Sequence, residues 1–87
     1  MKNPLHQFDE VETDFLLFTK TVCGYCVAAK RLLEGYSMSF TEVNLDDDVQ
    51  LRSELITATG HRTVPIIFDM RTDVIFVGGF DELKSYL

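Results

Sequence analysis

Cys23 and Cys26, three positions apart, are the residues of this chain best suited to chemistry, and they are its only cysteines. They follow the apolar run Phe15-Leu16-Leu17-Phe18 after a short link through Lys20, Thr21 and Val22. A strand that ends in such a pair and turns into a helix puts the first sulfur at the helix N-terminus. Unpaired backbone N–H groups and the helix dipole there favour an anion, so a thiolate forms more readily. Three chemistries compete for the pair. Zinc needs two further ligands, and beyond the acids only His6 and His61 are available, neither with a histidine partner at zinc-finger spacing. A purely structural disulfide across so short a loop removes little chain entropy. Redox exchange uses the pair as it stands. Cys23, partly exposed at the helix start, attacks a disulfide sulfur; Cys26, one turn in and more shielded, resolves the mixed disulfide.

The elements that must hold this pair are legible from periodicity. Phe15 to Phe18 is continuously apolar, the pattern of a strand buried on both faces. From Gly24 the pattern becomes helical, with Val22, Cys26, Ala29, Leu33 and Tyr36 recurring at three- or four-residue spacing and Gly35 suited to the helix end. Ser39 to Asn44 alternates polar and apolar residues as a second strand. Asp46 to Asp48 crowd the start of another helix, whose face is Leu51, Leu55 and Ala58 and whose end is Gly60. Val64 to Asp69 and Val74 to Val77 read as an antiparallel hairpin turned by Met70 to Asp73. Gly78-Gly79 breaks the second of these strands, and Asp81 to Leu87 is a short last helix. The expected order is β-α-β-α-β-β-α, an α/β fold. A right-handed crossover makes the first two strands parallel, and a four-stranded mixed sheet carries helices on both faces.

Bulk properties set the class. The 87 residues imply one domain, expected over residues 14–87 behind a polar N-terminal tail at 1–13. A net charge of −6 argues against nucleic acid or an anionic membrane as a partner, since phosphate binding needs clustered positive charge. Two cysteines are too few for a disulfide framework, and Met1 to Asp14 lacks the apolar stretch of a signal peptide. No apolar run approaches the ~20 residues of a membrane span. The expectation is a monomer in a reducing cytoplasm.

Three stretches in this order and at these separations carry a resemblance: Cys23-Gly24-Tyr25-Cys26, Thr59-Gly60-His61-Arg62-Thr63-Val64-Pro65, and Gly78-Gly79-Phe80-Asp81-Glu82-Leu83. Together they resemble a dithiol glutaredoxin over about residues 14 to 87. The Tyr25 ring, the Thr-Val-Pro and Gly-Gly-x-Asp patterns, and the absence of a tryptophan before Cys23 set the chain closer to glutaredoxins than to thioredoxins. The resemblance implies a thioredoxin-like fold and a glutathione-dependent thiol–disulfide oxidoreductase with Cys23 as nucleophile and Cys26 as resolving thiol. Its substrates would be protein disulfides and glutathionylated proteins.

The resemblance also implies a glutathione site. A cis bond between Val64 and Pro65 would turn the Val64 backbone toward the cysteine loop, where it pairs with a bound cysteinyl group. Thr63 and Gly79 lie in the same motifs. Lys20 and Arg52 would meet the glycine carboxylate, with Arg62 a weaker candidate, and Tyr25 would stand beside Cys23. The γ-glutamyl carboxylate would face Phe80, Asp81 and Glu82, where Asp81 also reads as a helix N-cap. Relatives usually carry aspartate at the Glu82 position and proline at the Gly24 position. Two other functions stay open. One is an electron donor reduced by a thioredoxin reductase, feeding for example a ribonucleotide reductase. The other is a [2Fe–2S] cluster held between two subunits through Cys23 and glutathione, to which a permissive Gly24 is suited. His6 and His61 read as surface residues, and Asp46 to Asp48 lack the spacing of a calcium loop.

Overall fold

The computed structural model describes residues 5–87. Four strands and three α-helices follow one another as β1 (Phe15–Thr19), α1 (Gly24–Gly35), β2 (Phe40–Asn44), α2 (Val49–Thr59), β3 (Ile66–Asp69), β4 (Ile75–Gly78) and α3 (Phe80–Tyr86). A short 3-10 turn at His6–Phe8 precedes them. The sheet order is β2-β1-β3-β4. β1 runs parallel to β2 and antiparallel to β3, and β3 is antiparallel to β4. This is the expected mixed sheet, with β1 and β3 in its centre.

The central strands are buried throughout, and apolar except for Thr19 and Asp69 at their ends, because each face meets helices. Leu16, Phe18, Ile66 and Phe68 point to α2, where they pack with Leu51 and Leu55. Phe15, Leu17 and Ile67 point to the other face, against Ala29 and Leu33 of α1 and Leu83 of α3. Burying a side chain of this size contributes roughly 1.5–3 kcal/mol, so β1 alone anchors both layers. The cysteine loop leaves the C-terminal end of β1, and β3 begins beside it.

Several local expectations need correction. The cysteine helix buries Cys26, Ala29 and Leu33, but Val22 lies before it and is 85% exposed, and Tyr36 also faces solvent. Gly35 is still helical. The left-handed residue that closes α1 is Ser37, at φ 57°, and the Met38 N–H donates to the Leu33 carbonyl. Gly60 does take the left-handed conformation at the end of α2, at φ 73°. Ala58 is exposed, so that helix packs through Leu51 and Leu55. Ser39 lies just outside β2; its backbone N–H donates to Asp14, and its hydroxyl accepts the Asp14 N–H. Leu5, Phe8 and Val11 of the polar N-terminal segment pack on the α2 side of the core, with the Phe8 ring edge-on to Phe18 at 5.3 Å.

Candidate active site

Cys23 is the N-cap of α1, and the backbone N–H of Cys26 donates to its sulfur at 3.1 Å. Cys23 Sγ lies 3.8 Å from the Val64 carbonyl oxygen. The two cysteines are joined as a disulfide. Cys23 is half-buried, whereas Cys26 is only 2% exposed beneath it. One sulfur therefore meets an incoming molecule and the other waits behind it.

The loop that delivers Cys23 is fixed from below. The Thr21 N–H donates to Asp46 at 2.9 Å, and the Asn44 amide donates to the Thr21 hydroxyl at 3.1 Å. The hydrogen bonds from Thr21 hold the Asp46 carboxyl below the usual carboxylate range. Asp48 caps α2 by accepting the Leu51 N–H. Of the three aspartates that crowd this helix start, two thus have positioning bonds, one of them to the cysteine loop.

Two adjoining clefts that share Tyr25, Thr63 and Val64 form a groove, and Cys23 lines one of them. On one side Lys20, Arg52 and Arg62 join Val22, Cys23, Tyr25, Thr63 and Val64 around a cleft of about 350 Å³. None of these three cations takes part in an ion pair among the described residues. On the other side Tyr25, Thr63, Val64 and Pro65 continue into a cleft of about 260 Å³ closed by Gly79, Phe80, Asp81 and Glu82. The Val64–Pro65 bond is cis. Tyr25, 65% exposed, leans over the junction with its ring 6.0 Å from that of Phe80. The groove brings together every residue singled out from the sequence except Cys26, which lies under it.

Two details differ from expectation. The N-cap of α3 is Gly79, not Asp81. Glu82 reaches back so that its carboxylate accepts the Gly79 N–H at 2.7 Å, half of a capping box. A side chain at Gly78, where φ is 124°, would collide with Glu82 at 2.8 Å, which is why that strand end is glycine. The exposed Asp81 carboxylate is left to face the cleft. The second difference is His61. It lines the same cleft, half-buried, with its ring 5.9 Å from that of Phe76. From sequence it reads as a surface residue, although it stands two positions before Thr63 in the Thr59–Pro65 motif.

Among the described residues no cluster of three or more His, Cys, Asp or Glu side chains is placed to hold a metal ion. An iron–sulfur cluster on Cys23 would need ligands from outside the chain.

Comparison with known proteins agrees with this geometry. The glutaredoxin family model matches residues 15–72. The chain is 40% identical to Glutaredoxin 3 of Escherichia coli over 69 residues, covering 79% of this chain and 80% of that protein. It is 38% identical to a glutaredoxin of Pseudomonas aeruginosa over 70 residues, 80% of either chain. Among solved structures, the holo form of glutaredoxin C1 from Populus tremula x tremuloides superposes with a TM-score of 0.77 at 33% identity, over 94% of this chain and 83% of that one. The buckwheat glutaredoxin–glutathione complex superposes with a TM-score of 0.78 at 26% identity, over 94% and 76%. With an accessible sulfur at a helix start, its shielded partner one turn behind and these relatives, the chain belongs to the glutaredoxin family and is a thiol–disulfide oxidoreductase of that type.

Proposed function

We propose that the protein uses glutathione to reduce protein disulfides and glutathione mixed disulfides. One observation carries this reading: Cys23 lines a cleft bearing three cations that make no ion pair among the described residues, and that cleft shares Tyr25, Thr63 and Val64 with one bearing the Asp81 and Glu82 carboxylates. Glutathione has the matching order of groups. Its glycine carboxylate suits Lys20 and Arg52, with Arg62 beside them. Its cysteine suits Val64, whose backbone flanks Cys23. Its γ-glutamyl end suits the stretch from Gly79 to Glu82, with Tyr25, Thr63 and Pro65 forming the wall between. The likeness to a glutaredoxin solved in complex with glutathione supports the same assignment.

In the reduced protein the N–H of Cys26 and the start of α1 favour a thiolate on Cys23. That thiolate attacks one sulfur of a substrate disulfide. A mixed disulfide forms and the other substrate sulfur leaves as a thiolate, to be protonated by solvent. Cys26 then loses its proton and attacks Cys23 Sγ, releasing the second substrate thiolate and closing the Cys23–Cys26 disulfide. A first glutathione thiolate reopens that disulfide at Cys23. A second attacks the bound glutathione sulfur, giving glutathione disulfide and the Cys23 thiolate. With a glutathionylated substrate, Cys23 takes the glutathionyl group directly and the last step suffices.

A trapping experiment tests the reading. Cys26→Ser protein incubated with glutathione disulfide is expected to carry one glutathionyl group on Cys23 by mass spectrometry. Failure to form that adduct, with the thiol free and the fold intact, would overturn it.

A further inference from the structure

We propose that His61 is the cation that receives the α-carboxylate of the γ-glutamyl group, so that recognition of this end strengthens as the imidazole gains its proton. The inference rests on the glutathione reading above and extends it to a specificity-determining residue. The γ-glutamyl end is an amino-acid zwitterion and needs one partner of each sign. The cleft around Gly79 offers Asp81 and Glu82 to the ammonium, but Lys20, Arg52 and Arg62 line the opposite cleft. Among the described residues, His61 is the one lining the Gly79 cleft that is able to carry positive charge.

Its placement suits the role. A methyl group built on Gly79 would meet His61 Nε2 at 3.2 Å, so that nitrogen borders the backbone against which the carboxylate would lie. The ring is backed edge-on by Phe76, and Nε2 lies 3.5 Å from the Thr63 hydroxyl. Glu82 already uses one oxygen on the Gly79 N–H, which leaves Asp81 the freer partner for the ammonium.

The Asp81 and Glu82 carboxylates of α3 share the cleft with the ring, and Arg62, next in the chain, lines the neighbouring cleft. Tyr25 of α1 and Thr63 bring hydroxyl groups to it, and β4 brings the Phe76 ring. Imidazole is the side chain type that changes charge between about pH 5 and 8.

The test compares two mixed disulfides of one peptide thiol, one with glutathione and one with N-acetylcysteinylglycine, which lacks the γ-glutamyl group but keeps the cysteine nitrogen as a non-titrating amide. Reduced protein is the only reductant, under single-turnover conditions. The ratio of the two second-order rate constants cancels the ionisation of Cys23. In the parent this ratio is expected to rise about fivefold from pH 8 to pH 6, the size of a partly exposed ion pair. In His61→Gln it should stay flat at the parent's pH 8 level, and in His61→Lys it should be flat and high. A His61→Gln ratio that keeps the parent's pH slope overturns the inference, as does a His61→Lys ratio no higher than that of His61→Gln. A parent that prefers glutathione equally at every pH also overturns it, while leaving the glutathione reading intact. A parent ratio near one throughout overturns the glutathione reading itself, and this inference with it.

Discussion

Replacing Asp69 by Asn should make stability less dependent on acid. Asp69 ends the central strand β3 beside Phe15, at the end of β1 opposite the cysteine loop, and is 4% exposed. Its carboxylate accepts the backbone N–H, Nε and Nη2 of Arg71, each at 3.0 Å, and the Tyr86 hydroxyl at 2.6 Å. The Arg71 side chain is the main reason its pKa falls from 3.8 to about 2, against the opposing effect of burial. At ~1.4 kcal/mol per unit, that shift corresponds to about 2 kcal/mol of folding stability. A pKa lowered by folding contributes fully above the unfolded value and is lost as the pH falls. The contribution is therefore complete near pH 6, begins to fade below about pH 5 and is mostly gone near pH 2. Urea unfolding of the oxidised parent and Asp69→Asn proteins, measured across this range, isolates the effect from the other carboxylates. The parent should be more stable by about 2 kcal/mol at pH 6, and the gap should shrink toward zero as the pH falls to about 2. A gap that stays constant from pH 6 to 2 would refute the reasoning. Because Tyr86 ends α3, the same network holds the far end of the helix whose first turn closes the cleft at Gly79.

The remaining expectations concern the site and one helix end. Cys23→Ser should abolish all turnover, whereas Cys26→Ser should keep deglutathionylation and lose reduction of protein disulfides; equal loss in both variants would contradict the division of labour between the sulfurs. Arg52→Ala should raise KM for a glutathione mixed disulfide roughly threefold to fivefold with kcat unchanged, an effect that fades in about 0.5 M salt because the side chain is exposed. Ser37→Gly should stabilise the fold by roughly 0.5–1 kcal/mol in denaturant titrations, because φ at this position is 57° and glycine relieves the left-handed strain. No gain in stability there would show that Ser37 is not strained.

The parts of the sequence that gave themselves away are those where a single cause dominates. Phe15 to Phe18 reads as a central strand because burial on both faces removes alternation, and its side chains do divide between the two halves of the core. The cysteine helix is legible from Ala29 and Leu33, but Val22 kept the right spacing while lying outside the helix. Gly35 misled as a helix end because glycine is permissive in any conformation, and the tertiary path assigned the left-handed residue to Ser37 instead. Leu5, Phe8 and Val11 were hidden among acids; their three-residue spacing was the available signal that this polar segment packs on the core. Glu82 has capping-box spacing from Gly79, but a glycine at the cap position conceals half of that motif. His61 was missed because one histidine carries no periodicity, and only the packing of β4 and α3 brings the cleft to it.

The central claim is that Cys23 reacts with a glutathione seated in this groove, and steady-state turnover tests it most directly. Reduction of a glutathione–peptide mixed disulfide is followed through NADPH consumption, with glutathione and glutathione reductase supplied. Turnover is expected to saturate with the mixed disulfide, to survive in Cys26→Ser and to vanish in Cys23→Ser. No turnover in this system, with efficient reduction when thioredoxin reductase replaces glutathione and its reductase, would contradict it.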